Sequence, residues 1–255
     1  MAGVRQISGR GNNKPRAKRK APTPVTNQDK WMLQALDVHL EGRNHPPRAG
    51  VFHPSQVGQP CDRLLYLGYN GLLEDYTIVP KLARIFGCGS SLEDRVAKYF
   101  LDMGIMLERE LPVTFDSPPI SGRIDFIIEH GEHGPMPVEL KSINNAGFNK
   151  LTSGPKPEHL VQLQLYLALW PVEYGTVLYE NKDNQDLKAF LVKYDQQLID
   201  AIFNRCKALM EMVDCPPQCG GDRWCSCKNI TISVSYTHLR AHETDSYLVC
   251  RLLLE

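Results

Sequence analysis

Several absences narrow the field before any motif is read. No apolar run in the 255 residues approaches the roughly 20 needed to cross a bilayer. The basic start is not followed by the apolar stretch of a secretory signal. Membrane-spanning and exported classes are therefore set aside, and the expectation is a soluble cytoplasmic protein. Neither sign of charge is in excess, because 29 Lys and Arg meet 29 Asp and Glu. Acids are nevertheless missing from Met1 to Lys20, where seven Lys or Arg fall, so the remainder is net acidic. Large apolar residues are scarce over 1–26, which predicts a disordered basic tail able to add salt-sensitive, sequence-blind affinity for nucleic acid. The eight cysteines of an intracellular chain point to metal or cluster ligation more than to disulfides.

What is present is enough for one sizeable core, and the expected layout is a single domain over 27–232. The final stretch is different in kind. Residues 233–255 closely resemble the translated read-through of a sequencing adapter and are left out of the fold reasoning, so His238, His242 and Cys250 are not taken as ligands.

The domain is organised around residues 120–142. Two apolar runs flank a turn containing Gly and Pro, which predicts a β-hairpin with a loop longer than the tightest type. Alternation puts Ile124, Phe126 and Ile128 on one face and Asp125 on the other. In the second strand Val138 and Leu140 face the core while Glu139 and Lys141 share the opposite side. Pairing the strands gathers two carboxylates and an amine on one face. That arrangement is costly unless something cationic neutralises the acids. Mg²⁺ or Mn²⁺ suits the task, since hard cations select oxygen ligands.

Asp125 followed by Glu139-x-Lys141 resembles the PD-(D/E)xK nuclease core, and the surrounding Gly-Arg-Ile-Asp-Phe and Val-Glu-Leu-Lys-Ser resemble its RecB-type exonuclease branch. The resemblance covers roughly residues 50–228. It implies an α/β, restriction-endonuclease-like core: a central mixed β-sheet flanked by helices. It also implies a metal-dependent deoxyribonuclease in recombination, repair or end processing, of phage or mobile-element type, with DNA as partner. Metal would be held by Glu93, Asp125, Glu139 and the backbone carbonyl of Leu140, with Lys141 beside the reacting phosphate. Glu93 stands where the family has a His or Glu one turn into a helix, and Ser90 or Ser91 is expected to cap that helix after an interruption at Gly87–Gly89. Gln162 and Tyr166, four apart on a helix expected over 157–170, match the Gln-x-x-x-Tyr motif that orients DNA and the lysine region. The rival from another class keeps the fold without catalysis, as a nucleic-acid-binding protein with a structural zinc knuckle.

The remaining elements follow from periodicity. Helices are expected at 28–41, with Trp31, Met32, Leu36 and Leu40 on its apolar side, and at 196–213; strands are expected at 111–115, 173–180 and 187–194. The polar loop 143–157 is a candidate for holding a phosphate backbone. Cys88 and Cys206 lack spaced partners and are assigned to packing. Cys215, Cys219, Cys225 and Cys227 lie within 13 residues among Pro and Gly. They form a self-contained Cys₄ zinc knuckle, or three of them join Cys61 around an iron–sulfur (4Fe-4S) cluster, as in RecB-type nucleases with such a staple. The spacing departs from the family pattern, and which cysteine is spare is open.

Overall fold

The computed structural model describes residues 29–41, 49–73 and 78–219, together with Cys225 and Cys227. The expected basic tail and the segment 233–255 lie outside these residues. Three short helices come first, α1 (Lys30–Leu40), α2 (Pro54–Val57) and α3 (Asp62–Tyr69), then the long α4 (Pro80–Asp102). A three-stranded meander follows, β1 (Met106–Asp116), β2 (Pro119–His130) and β3 (Gly134–Ile143), then α5 (Asn145–Asn149), α6 (Pro157–Leu169), β4 (Tyr174–Asn181), β5 (Leu187–Lys193) and α7 (Gln196–Glu211).

The five strands form one mixed sheet in the order β1-β2-β3-β4-β5. β2 and β3 pair antiparallel with Phe126 opposite Val138. β3 and β4 pair parallel, Glu139 opposite Val177, because the chain crosses over through α5 and α6 between them. Both faces of the sheet are covered, as a parallel pair requires. On one face Leu92, Val96 and Ala97 of α4 pack against Phe126, Ile128, Val138 and Leu140. On the other, Leu163 and Leu167 of α6 pack against Val177 and Tyr179.

Helix α6 is the buried centre of the molecule. Gln162 to Leu167 are buried without a break, since the sheet lies on one side and Leu65, Ile199 and Ile202 of α3 and α7 close over Leu165 on the other. Two buried glutamines are thereby forced to find partners. Gln164 does so structurally, donating to the Lys193 carbonyl at 2.7 Å and accepting from the Asp195 N–H at 2.9 Å. Gln162 is turned toward the cavity described below.

Three expectations need correction. The break at Gly87–Gly89 does not occur: α4 runs unbroken for 23 residues, and Ser90 Oγ donates back to the Phe86 carbonyl at 3.4 Å instead of capping. Each helix-interior glycine costs about 1 kcal/mol, which the packing of Leu92, Val96 and Ala97 onto the sheet offsets. Helix α1 forms, but it buries none of its residues and Trp31 is 75% exposed; it lies along the first half of α4, outside the core, tied by Arg84 to Asp37 at 2.6 Å. The face expected for Ile124, Phe126 and Ile128 is divided. Ile124 packs with Val113, Ile127 and Tyr166 while Phe126 and Ile128 pack with α4. Cys206 is fully buried, as packing requires, whereas Cys88 is exposed.

Candidate active site and cysteine group

The hairpin brings Asp125, Glu139 and Lys141 to one cavity of about 490 Å³, whose wall also includes Glu93, Gln162 and Tyr166. Four elements place them. Glu139 and Lys141 project from β3 on the face away from Val138 and Leu140. Asp125, on β2, accepts the Leu140 N–H at 2.8 Å, so the hairpin backbone itself orients the carboxylate. Glu93 arrives from α4, while its neighbour Asp94 turns away to Arg109. Gln162 Nε2 donates to the Tyr166 hydroxyl oxygen at 3.2 Å, and that hydroxyl donates to the Arg123 carbonyl at 2.8 Å, two residues before Asp125.

The electrostatics are those of acids held against their preference. Burial pushes Asp125 up to about 6, against the pull of the Leu140 N–H and the charge of Lys141. Burial, then the charge of Asp125, pushes Glu139 up to about 8. Glu93 is also raised, by burial and by Glu110. Lys141 Nζ lies 2.5 Å from Glu139 Oε1, which leaves Oε2 buried and without a hydrogen-bond partner. The three carboxylates share the cavity without converging to the mutual 4.8 Å that four thiols reach elsewhere among the described residues. Three acids against one lysine repel, so a spread arrangement is the physical expectation before a cation joins them.

Those thiols are Cys61, Cys219, Cys225 and Cys227, whose sulfurs all lie within 4.8 Å of one another. Cys61 caps α3, so the group ties the start of the domain to residues more than a hundred positions later. Cys215 stands outside it: its sulfur accepts from Arg63 Nη1 at 3.2 Å, and the same Nη1 donates to the Pro216 carbonyl at 2.8 Å. Among the described residues the four grouped sulfurs thus include Cys61 and leave Cys215 apart.

No protein-family model and no curated protein matches this chain. Among solved structures it is similar to an alkaline exonuclease from Laribacter hongkongensis, at 16% identity and a TM-score of 0.48 over 69% of this chain and 90% of that one. The same exonuclease in complex with dAMP gives 18% identity and a TM-score of 0.46 over 63% and 86%. A phage-related exonuclease from Haemophilus somnus 129PT gives 17% and 0.36 over 48% and 66%.

Sequence reasoning missed the opposite wall. His53, Pro54 and Ser55 of the α2 entry line the cavity too, and His53 Nδ1 lies 3.0 Å from the Ser121 carbonyl. Two glycines permit the approach. A Cβ at Gly58 would stand 2.4 Å from the Glu158 carbonyl oxygen, and one at Gly122 would stand 2.8 Å from Pro54. The Gly-Arg-Ile-Asp run carried a hint of this in its glycine, but nothing in the sequence says which segment arrives there. No helix among the described residues is long and apolar enough to cross a membrane.

Proposed function

We propose that this chain is a divalent-metal-dependent DNA nuclease of the PD-(D/E)xK type, acting as an exonuclease in recombination, repair or end processing. One observation carries the reading: Glu139 Oε2 is buried, unpartnered and set beside a second carboxyl in a polar cavity. An acceptor left open in this way costs about 1–3 kcal/mol, more when charged, and a purely structural carboxylate has no reason to bear that cost. A hard cation fits the opening. Glu93, Asp125 and Glu139, with the Leu140 carbonyl, would hold one or two Mg²⁺ or Mn²⁺ ions. Bound there, such an ion supplies Lewis acidity at a phosphate oxygen and a water acidified toward neutral pH.

The chain's own residues supply the remaining functions. Lys141, which reaches from β3 into the cavity, would offer an ammonium to the negative charge that develops on the phosphate. Gln162 and Tyr166 pin the Arg123 carbonyl, which fixes the β2 backbone beside Asp125, and they present polar edges to the DNA strand.

The cysteine group is proposed as a soft-metal staple. Its all-sulfur donor set excludes Mg²⁺-like ions. Four thiolates suit a single Zn²⁺, and these sulfurs, all within 4.8 Å of one another, would hold one such ion. A 4Fe-4S cluster, the group the family resemblance implies, requires the same thiols to spread. Metal analysis and the visible spectrum of anaerobically purified protein decide: iron with brown colour gives the cluster, colourless zinc gives the single ion, and neither metal ends the staple.

The nuclease test is incubation with end-labelled single- and double-stranded DNA in Mg²⁺, Mn²⁺ or EDTA. Cleavage with either metal and none in EDTA is expected. Binding without cleavage in every buffer would favour the non-catalytic rival.

A further inference from the structure

His159 stands in the first turn of α6, three residues before Gln162 and seven before Tyr166, so the three form one stripe of the helix. The later two line the carboxylate cavity. Just before His159 along the chain, Lys150, Thr152, Ser153 and Lys156 line a second hollow of about 480 Å³. His159 therefore lies between the two along α6.

Its ring is locked in one tautomer by its neighbours. The Tyr179 side chain is fully buried. Its oxygen accepts the Lys156 N–H at 3.0 Å, and its other partner is His159 Nδ1 at 2.7 Å. A buried hydroxyl must place its own proton, so Tyr179 O–H donates to Nδ1. Nδ1 is thus an acceptor, and the ring proton sits on Nε2. Burial, reinforced by the charge of Lys141, pushes His159 down to about 4, which keeps the ring neutral. Among the described residues no hydrogen bond engages Nε2. The result is a fixed, uncharged donor with an open valence beside the lysine of the cavity.

Building on the nuclease reading, we propose that His159 contacts the substrate: its Nε2–H donates to a phosphate oxygen of the DNA strand running from the carboxylate cavity toward the Lys150–Lys156 loop. A neutral donor suits this place. It orients the backbone without adding a second cation that would compete with Lys141.

The test uses fluorescence anisotropy of the full chain with labelled single- and double-stranded oligonucleotides in Ca²⁺. His159→Asn keeps an oxygen where Nδ1 accepts the Tyr179 hydroxyl but has nothing at the Nε2 position. We expect Kd to weaken about tenfold, the scale of one hydrogen bond to a charged group. The slope of log Kd against log salt should stay unchanged, because a neutral donor displaces no counterion, whereas Lys156→Ala should reduce the slope by about 1. Nitrogen-15 imidazole shifts at pH 7 should show Nε2 protonated and Nδ1 bare. Wild-type affinity in His159→Asn, or a proton on Nδ1, overturns the contact and leaves the nuclease reading standing. A wild type that neither binds nor cuts DNA removes both. Should His159→Asn melt early, His159→Phe replaces it: the ring fills the same space with no donor, and wild-type affinity there overturns the contact equally.

Discussion

Two glutamates are buried in neighbouring strands of the same sheet, and they are treated in opposite ways. Glu180 on β4 receives Arg95 Nη2 at 2.7 Å and 2.8 Å, one contact to each carboxylate oxygen. Glu139 on β3 is more deeply enclosed, yet only Oε1 is engaged, and Oε2 faces nothing. Burial alone therefore does not separate an acid whose valences are filled from one left open. The difference is whether the fold completes the valences. Arg95 comes from α4, one turn before Tyr99, and gives β4 a planar, permanently charged partner. Glu139 is given a flexible lysine two residues along its own strand, which can leave when a stronger cation arrives.

The largest effect is expected from changing the open site. Glu139→Gln, Asp125→Asn and Lys141→Ala should each lower cleavage by at least about a thousandfold, the scale on which loss of one transition-state contact in a dry site is felt, while circular dichroism stays native. Near-normal rates in all three would end the contrast between the two glutamates along with the nuclease reading. The closed site should respond in the other currency. Glu180→Gln should leave kcat within a fewfold of wild type and cost about 1–3 kcal/mol in urea unfolding, because Arg95 loses its charged partner while remaining partly in solvent. Should Glu180→Gln silence cleavage without lowering stability, the assignment of roles has been reversed.

Much of this contrast was legible in the sequence, though unevenly. Glu139 and Lys141 stand in a strand with strict alternation, so their shared face followed from period 2 and from the turn before them. Gln162 and Tyr166 followed from helical spacing. Glu180 was invisible as a buried acid, because its partner Arg95 lies 85 positions earlier on a different element. The same limit hid His53 and Ser55, which reach the cavity only because Gly58 and Gly122 let α2 settle against α6 and β2. Local chemistry can announce that a residue is unusual. It cannot say what will be brought against it from a hundred residues away. The α4 glycines err in the other direction: their local preference for a break was legible, and packing overrode it.

The smallest effect, and the sharpest reading of the open valence, is the pH dependence of the metal-free fold. Glu139 is pushed up to about 8 in the native protein, against about 4.3 for an unperturbed glutamate. Between those values the native state holds a proton that the unfolded chain has released, so stability must fall as pH rises through the window. The range from pH 6.5 to 9 isolates this carboxyl best. Asp125, at about 6, has largely ionised by then; His159 is neutral in the folded protein and half protonated in the unfolded chain only at the foot of the range, near its ordinary value of about 6.5, where it works against the Glu139 slope. One proton's difference gives a slope of up to about 1.4 kcal/mol per pH unit, and a domain of this size loses roughly 2–4 °C of Tm per kcal/mol. In EDTA, wild type should therefore lose several degrees over the range. Glu139→Gln should lose less, since it cannot ionise; subtracting its curve also removes groups titrating alongside, such as Cys227, which lies near 7. Added Mg²⁺ or Mn²⁺ should reverse the wild-type trend, because the cation binds the ionised carboxylates and binds them better as protons leave. Glu180→Gln, whose carboxylate is already answered by Arg95, should keep the wild-type slope at a lower Tm. Identical slopes for wild type and Glu139→Gln would mean that Oε2 is not an open valence.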